Sequence, residues 1–362
     1  MRRGLPIVVL AAVCVGLWFL PGPRKLADAG GATSRAEVVE VDDSGLQIHG
    51  LVEFGTQKLK VRLPDGGIRV AHNEIRAQMD LDKKFAVGDT ALVVLGPEPL
   101  IARDHWRLGW TAVLFGGFAL LLVAFGGWTG AKALLSFVFS CFAVWKILIP
   151  LCLSGGRAGW TSLAVVSVLT AVIMYLVAGA TRKGLAAFLG AMLGVAASLA
   201  LADFFAAVMH VNGATMPFVQ ALLYSGYVDL DIADVFVGSV ILASSGAVMD
   251  LAMDIASAAD EVARHNPGLS RRELLFSGLR VGRSVVGTMT TTLLPAYSGG
   301  YLTLLMVFAA QGTHPADFVN STLVSAEVVK TLVGSFGLVL VAPFTALVSA
   351  ALFGRKHASA VG

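Results

Sequence analysis

Charge is scarce in this chain. Of 362 residues only 14% are Asp, Glu, Lys or Arg, while 56% are hydrophobic. Soluble domains carry about a quarter charged residues, so a water-soluble globular reading is excluded. Cysteine is scarce too. Cys14, Cys141 and Cys152 lie far apart, in or beside apolar segments, which excludes a disulfide framework or a zinc spacing and leaves packing roles. The formal net charge of +3 is too small to indicate a nucleic-acid partner. No Ser-His pair, nucleophile elbow, zinc motif or Walker sequence occurs, so no catalytic residue, metal or cofactor is assigned. A repeat of fixed period and the inverted repeat common in transporters are both missing, which withholds support from any particular transporter fold.

What is present is a series of long apolar runs. Residues 5–20 come after Arg2 and Arg3 and precede Ala27-Asp28-Ala29, which has the small-residue character of a cleavage site. Anchor and signal peptide both stay open, and either would export the domain beyond it. Residues 1–22 form this segment and 23–107 the next domain. From Arg35 to Gly96 short alternating runs such as "QKLKVRL" and "GIRVAHNEI" are separated by "DDSG" and "PDGG", the pattern of five or six strands in a small β-barrel of the OB or SH3 kind. His49 and His72 read as ordinary strand and loop residues.

Residues 108–354 read as a transmembrane helical bundle, with apolar spans at 108–126, 131–151, 159–180, 184–208, 235–257, 284–311 and 328–353. With the first segment they make about eight spans. Basic residues fall on alternate loops: Lys132, then Arg182 and Lys183, then Arg264 to Arg283, then Arg355 and Lys356 in a tail at 355–362. None occurs between Gly184 and Ala263 or between Gln311 and Ser321. The positive-inside rule then puts both termini in the cytoplasm if the first segment is uncleaved, and the β domain outside. The fold class expected is an all-α polytopic bundle with a small extracytoplasmic β domain, whose first partner is the lipid bilayer.

Within the span 235–257 stand two carboxylates, Asp250 and Asp254. An ionised Asp at the centre of a membrane helix costs about 2.5–3.5 kcal/mol, and each Leu, Ile, Phe or Val returns only about 0.3–0.6. The pair must therefore be partnered, protonated, near an interface or facing water. Helical spacing extends their face to Ser239, Ala243, Gly246, Ala247, Ser257 and Glu261, a small-residue stripe leading to acids. Two readings stay open: a structural salt bridge from Asp254, Asp260 or Glu261 to Arg280 or Arg283, or an ion or proton site.

The next segment, 262–283, contains "NPGLSRRELLFSGLRVGR", with Ser270 and Glu273 at capping-box spacing and an amphipathic pattern suited to the inner surface. Its arginines are already explained by orientation, without specific lipid recognition. Residues 285–311 read as a broken membrane helix, with Pro295 removing a donor and Ser298, Gly299 and Gly300 permitting a bend. Thr288, Thr290, Thr291, Thr292, Tyr297 and Ser298 either satisfy freed backbone groups or line a solute path. Lys146 is expected to snorkel or to meet Asp203, and Glu327 to pair with Lys330.

These residues carry a resemblance. "VGSVILASSGAVMDLAMDIASAADEV" followed by "ELLFSGLRVGRSVVGTMTTTLLPAYSGG" resembles the YibE/F family of multi-pass bacterial membrane proteins, and "VVKTLVGSFGLVLVAPFTAL" agrees more loosely. Ser284 and Thr291 stand where members commonly have Asp and Asn. The resemblance implies architecture and an inner-membrane location, but no reaction or substrate.

Three functions compete. Intramembrane acids beside a discontinuous helix favour a transporter or channel component, with Asp250 and Asp254 and the Ser257, Thr288, Thr291, Thr292, Tyr297 and Ser298 hydroxyls as its binding residues. An envelope assembly factor would bind a protein partner through the β domain. An intramembrane hydrolase fits least, because acids about 6 Å apart on one helix do not converge from opposing elements. The Gly-rich spans serve packing within one chain or between copies, so homo-oligomerisation is undetermined.

Overall fold

A computed structural model describes residues 5–20, 31–79 and 81–354. The proposed cleavage site and the basic tail lie outside the described residues. Two compact units form, one from residues 31–125 and one from residues 5–20 and 126–354.

In the first unit six strands alternate inward and outward residues: β1 (Thr33–Asp42), β2 (Leu46–His49), β3 (Val52–Arg62), β4 (Ile68–Arg76), β5 (Thr90–Val94) and β6 (Leu100–His105). Their order β1-β5-β6-β4-β3-β2 is closed by a further β1–β3 pairing. Five strands thus form a ring, antiparallel except for the β4–β6 pair, and β2 extends β3 as a hairpin. Of the two barrels expected, this connectivity selects the OB kind, a five-stranded Greek-key ring. Gly55 (φ 129°) lets the hairpin close, since a Cβ there would stand 2.2 Å from the Gly45 carbonyl oxygen.

Alternation delivers Val38, Leu59, Val61, Ala71, Val93 and Leu100 to the barrel core, and two polar residues with them. Gln57 and Asn73 are fully buried. The Gln57 amide donates to Asp43 Oδ1 (2.8 Å) and to the Phe85 carbonyl (2.9 Å), while its oxygen accepts from Asn73 Nδ2 (3.1 Å) and the Phe85 N–H (3.0 Å). Asn73 also donates to the Lys83 carbonyl (2.6 Å). The network pins residues 83–85 against the barrel wall. At the surface, the Glu53 carboxylate holds the Lys84 ammonium above its usual pKa.

The helices are α1 (Leu5–Phe19), α2 (Leu108–Ala143), α3 (Ile149–Leu153), α4 (Ala158–Ala178), α5 (Arg182–Val208), α6 (Val219–Tyr224), α7 (Ile232–His265), α8 (Arg271–Ser298), α9 (Leu302–Ala310), α10 (Pro315–Asn320) and α11 (Thr322–Phe353). Among the described residues, six helical stretches are long and apolar enough to cross a membrane, and α1 contributes a shorter apolar helix. This corrects the expected count of about eight. The first helix, α1, is too short to be counted, and the spans at 108–126 and 131–151 fall in one 46-residue apolar stretch, Leu108–Leu153. Non-helical backbone at Gly127 (φ 51°, ψ −127°) interrupts it.

Small residues bring the bundle's helices close. A Cβ on Gly190 of α5 would lie 2.1 Å from Thr345 Oγ1 of α11, and one on Gly337 of α11 would lie 2.0 Å from Ser198 Oγ of α5. Gly194 faces Val341 and Val248, and Gly238 of α7 faces Ala158 and Ser162 of α4. Hydrogen bonds gather the helix ends into two groups. At one end Lys132 Nζ donates to the Leu176 carbonyl (3.2 Å) and Arg271 Nε to the Gly354 carbonyl (3.4 Å). At the other, Lys146 Nζ donates to the Leu20 carbonyl (2.8 Å), and Asp234 Oδ1 accepts from the Gly159 N–H (3.3 Å) at the start of α4. So α4, α7 and α11 run one way while α5 and α8 run the other.

Candidate functional site on helices α7 and α8

Helix α7 begins where Asp231 caps it through the Asp234 N–H and continues for 34 residues. Its apolar positions, including Phe236, Ile241, Val248, Leu251 and Ile255, are buried. The same 3.6-residue period sets the opposite face: Ala243, Gly246, Asp250, Asp254 and Glu261 are exposed in the isolated chain, and Ser257 is half-buried. Neither Asp250 nor Asp254 has a hydrogen-bond or ion-pair partner among the described residues.

The salt bridges expected in this region take a different form. Asp260 pairs with Arg264 (2.8 Å) and Glu261 with His265 (2.8 Å), each one turn along α7. Arg280 and Arg283 are exposed and have no ion pair among the described residues. Local spacing decides this, because an i,i+4 partner on the same helix is closer than a side chain on the next one.

Residues 262–283 are divided between elements. Residues 262–265 end α7 and 266–270 form the turn. The expected capping box is present: Ser270 Oγ accepts from the Glu273 N–H, and the Glu273 carboxylate accepts from the Ser270 N–H (2.9 Å). Residues 271–283 then open α8, which runs on to Ser298. Gly278 and Gly282 let α8 approach α7 and α11, since a Cβ at either would lie 3.0 Å from Ala346 or Ala342 and within 3.8 Å of Ile255. This contact sets α8 near residue 280 level with α7 near Asp254.

The bend expected at Ser298, Gly299 and Gly300 is where the helix stops. The helix passes through Pro295, and the interruption is a 3-10 turn at Gly299–Tyr301, before α9. Proline deprives the Thr291 carbonyl of its intrahelical donor, but two glycines without side-chain contacts offer the easier place to turn. Thr288, Thr291 and Thr292 are exposed. Their hydroxyls donate back to the Val285, Thr288 and Met289 carbonyls at 2.7–2.9 Å, leaving lone pairs outward. Ser298 donates to the Pro295 carbonyl (3.2 Å). Tyr297 turns away from this face and into the bundle: a Cβ on Gly334 of α11 would lie 3.1 Å from its Oη and 3.4 Å from the Ser244 Cβ of α7. Gly334 gives that hydroxyl its setting, and no spacing in the sequence marks it as a neighbour, because only tertiary packing brings it there. The Thr290 hydroxyl is buried without a partner among the described residues.

Elsewhere, Glu327 and Lys330 pair at 3.0 Å as expected. Lys146 reaches the Leu20 carbonyl rather than Asp203, and the charged neighbours of Asp203 are Asp234 and Arg157. Asp250 is not among these neighbours, so Asp203 does not converge with it. No cluster of metal-ligating side chains occurs among the described residues. Of the three cysteines, Cys14 is buried and Cys141 exposed.

Six helical stretches long and apolar enough to cross a membrane, packed through small residues, are compatible with a multi-pass membrane protein. The YibE/F-like protein family model matches residues 114–355. More than half of the chain is covered, and the chain belongs to the YibE/F-like family. No curated protein and no solved structure gives a match.

Proposed function

We propose that the protein is a transporter or channel component that moves an ion or small solute along the polar faces of α7 and α8, with Asp250 as the charge-bearing group. In this reading it is a multi-pass protein of a bacterial inner membrane, with the Lys132, Arg182 and Arg271 end in the cytoplasm and the barrel outside. One observation carries it. Asp250 lies inside a helix of membrane-spanning length, yet has no cation or hydrogen-bond donor of its own chain among the described residues. A carboxylate kept for architecture would be neutralised within the fold, as Glu327 is by Lys330. An open carboxylate without a partner in its own chain can accept a proton or a hard cation.

The test is flux through purified protein in liposomes, with protons, Na⁺, K⁺ and Mg²⁺ each offered as the sole gradient. Asp250→Asn is expected to reduce the conducted species at least tenfold while Asp250→Glu retains it. If the wild type conducts and Asp250→Asn conducts every species equally well, the proposal fails.

A second reading, an envelope assembly factor, draws on apolar side chains left uncovered on the barrel unit. Ile48 and Leu51 at the β2–β3 hairpin and Met79 beyond β4 are 70%, 96% and 82% exposed. Recovery of one stoichiometric envelope protein that is lost in Leu51→Asp would favour it over transport.

A further inference from the structure

We propose that a second copy of this chain covers the α7–α8 face, with Asp254 of one copy opposite Arg280 and Arg283 of the other. Two polar lines on this face are left uncovered by the chain itself. On α7 the exposed line is Gly246, Asp250 and Asp254; on α8 it is Arg280, Arg283, Gly287 and Thr291. Lipid is a poor neighbour for either line, because an ionised side chain in hydrocarbon must find a partner or water.

Depth makes the two lines complementary. Ile255, adjacent to Asp254, packs on Gly278 and Gly282, so the acidic position of α7 and the basic positions of α8 lie at one level across the membrane. A two-fold axis along the membrane normal preserves depth, and it sets α7 of one copy antiparallel to α8 of the other. Each copy then contributes one acidic and one basic line, and both lines are matched twice. Close approach is available as well: a side chain at Gly246 or at Gly287 would meet no atom within 4 Å in its own chain, so both glycines present bare backbone outward.

Asp250 is about 6 Å deeper than Asp254, one helical turn away from the arginine level. It is left unpaired in the assembled face, between the arginines and Thr288 in depth. The arrangement deepens the transport proposal by placing the seam between copies, and it rests on that reading only for conduction. The pairing of charges stands whether or not an ion moves.

The experiment uses the full chain in native membranes, with Cys14, Cys141 and Cys152 replaced by Ser. Two differently tagged chains, one carrying Asp254→Cys and the other Arg283→Cys, are co-expressed and oxidised. A mixed disulfide dimer is expected at least tenfold above a pair carrying cysteines at Leu189 and Leu193 on α5. A further pair, Gly246→Cys with Thr291→Cys, tests the same face without removing a charge. Mixed dimers from both pairs establish the interface. Overturning results are a monomer from both pairs when each variant is present in membranes at wild-type amounts, or a disulfide that forms only within one chain carrying both Asp254→Cys and Arg283→Cys. Loss of flux in Asp250→Asn with the cross-links intact leaves this proposal standing and bears on transport alone. Intact flux with the cross-links absent does the reverse.

Discussion

The barrel and the helical bundle both carry polar side chains in apolar surroundings, and they treat them in opposite ways. In the barrel, buried Gln57 uses its amide nitrogen and oxygen on Asp43, Phe85 and Asn73. On α7, Asp250 and Asp254 use none of their oxygens on the described residues of the chain that holds them. A buried polar group left without partners costs about 1–3 kcal/mol, and a charged one more. The barrel meets most of that cost internally, although Asn73 Oδ1 has no partner among the described residues, so its network reads as architecture. The bundle leaves it unmet, which directs attention to something outside the chain: an ion, water or a second copy.

The contrast can be broken where helix packing is tightest. Gly190→Val places new atoms against Thr345, where even a Cβ would be 2.1 Å from Oγ1. Forcing α5 from α11 should cost about 3 kcal/mol or more, seen as lost monodisperse protein on detergent size exclusion. In the barrel, Gln57→Leu strands the Phe85 N–H and carbonyl, and a loss of about 2–3 kcal/mol is expected. Hydrogen exchange should then show residues 83–85 freed while the α5 and α7 amides remain protected. Lys330→Met leaves Glu327 uncompensated at a position where both side chains are about a quarter exposed. A loss of about 1 kcal/mol in thermal unfolding is expected, and Glu327→Gln in the same chain should restore it. The smallest effect on stability belongs to Asp250→Asn, because no interaction within the chain is lost.

Local pattern made much of this fold legible. Alternation in "QKLKVRL" and "GIRVAHNEI" marks strands, and the Ser270–Glu273 and Glu327–Lys330 spacings mark contacts within one helical turn. The helical period likewise identified the Asp250–Asp254 stripe as one face. Illegible was the side of the bundle to which that face turns, since periodicity separates two faces without saying what lies against either. Contacts between elements were hidden for the same reason: Tyr297 meets Gly334, and Arg280 does not reach Asp254. Boundaries set by glycine were legible: Gly127 falls in the gap between the spans ending at 126 and starting at 131, and Gly299 and Gly300 open the turn that ends α8.

The most direct test of the unpartnered acid measures stability and conduction on one preparation. Purified Asp250→Asn is compared with wild type by thermal unfolding in detergent and, after reconstitution, by ion flux. The account predicts an unfolding temperature within about 2 °C of wild type, together with the loss of conduction. An unfolding temperature lowered by many degrees beside unchanged conduction would contradict it, and would make Asp250 a structural residue like Gln57.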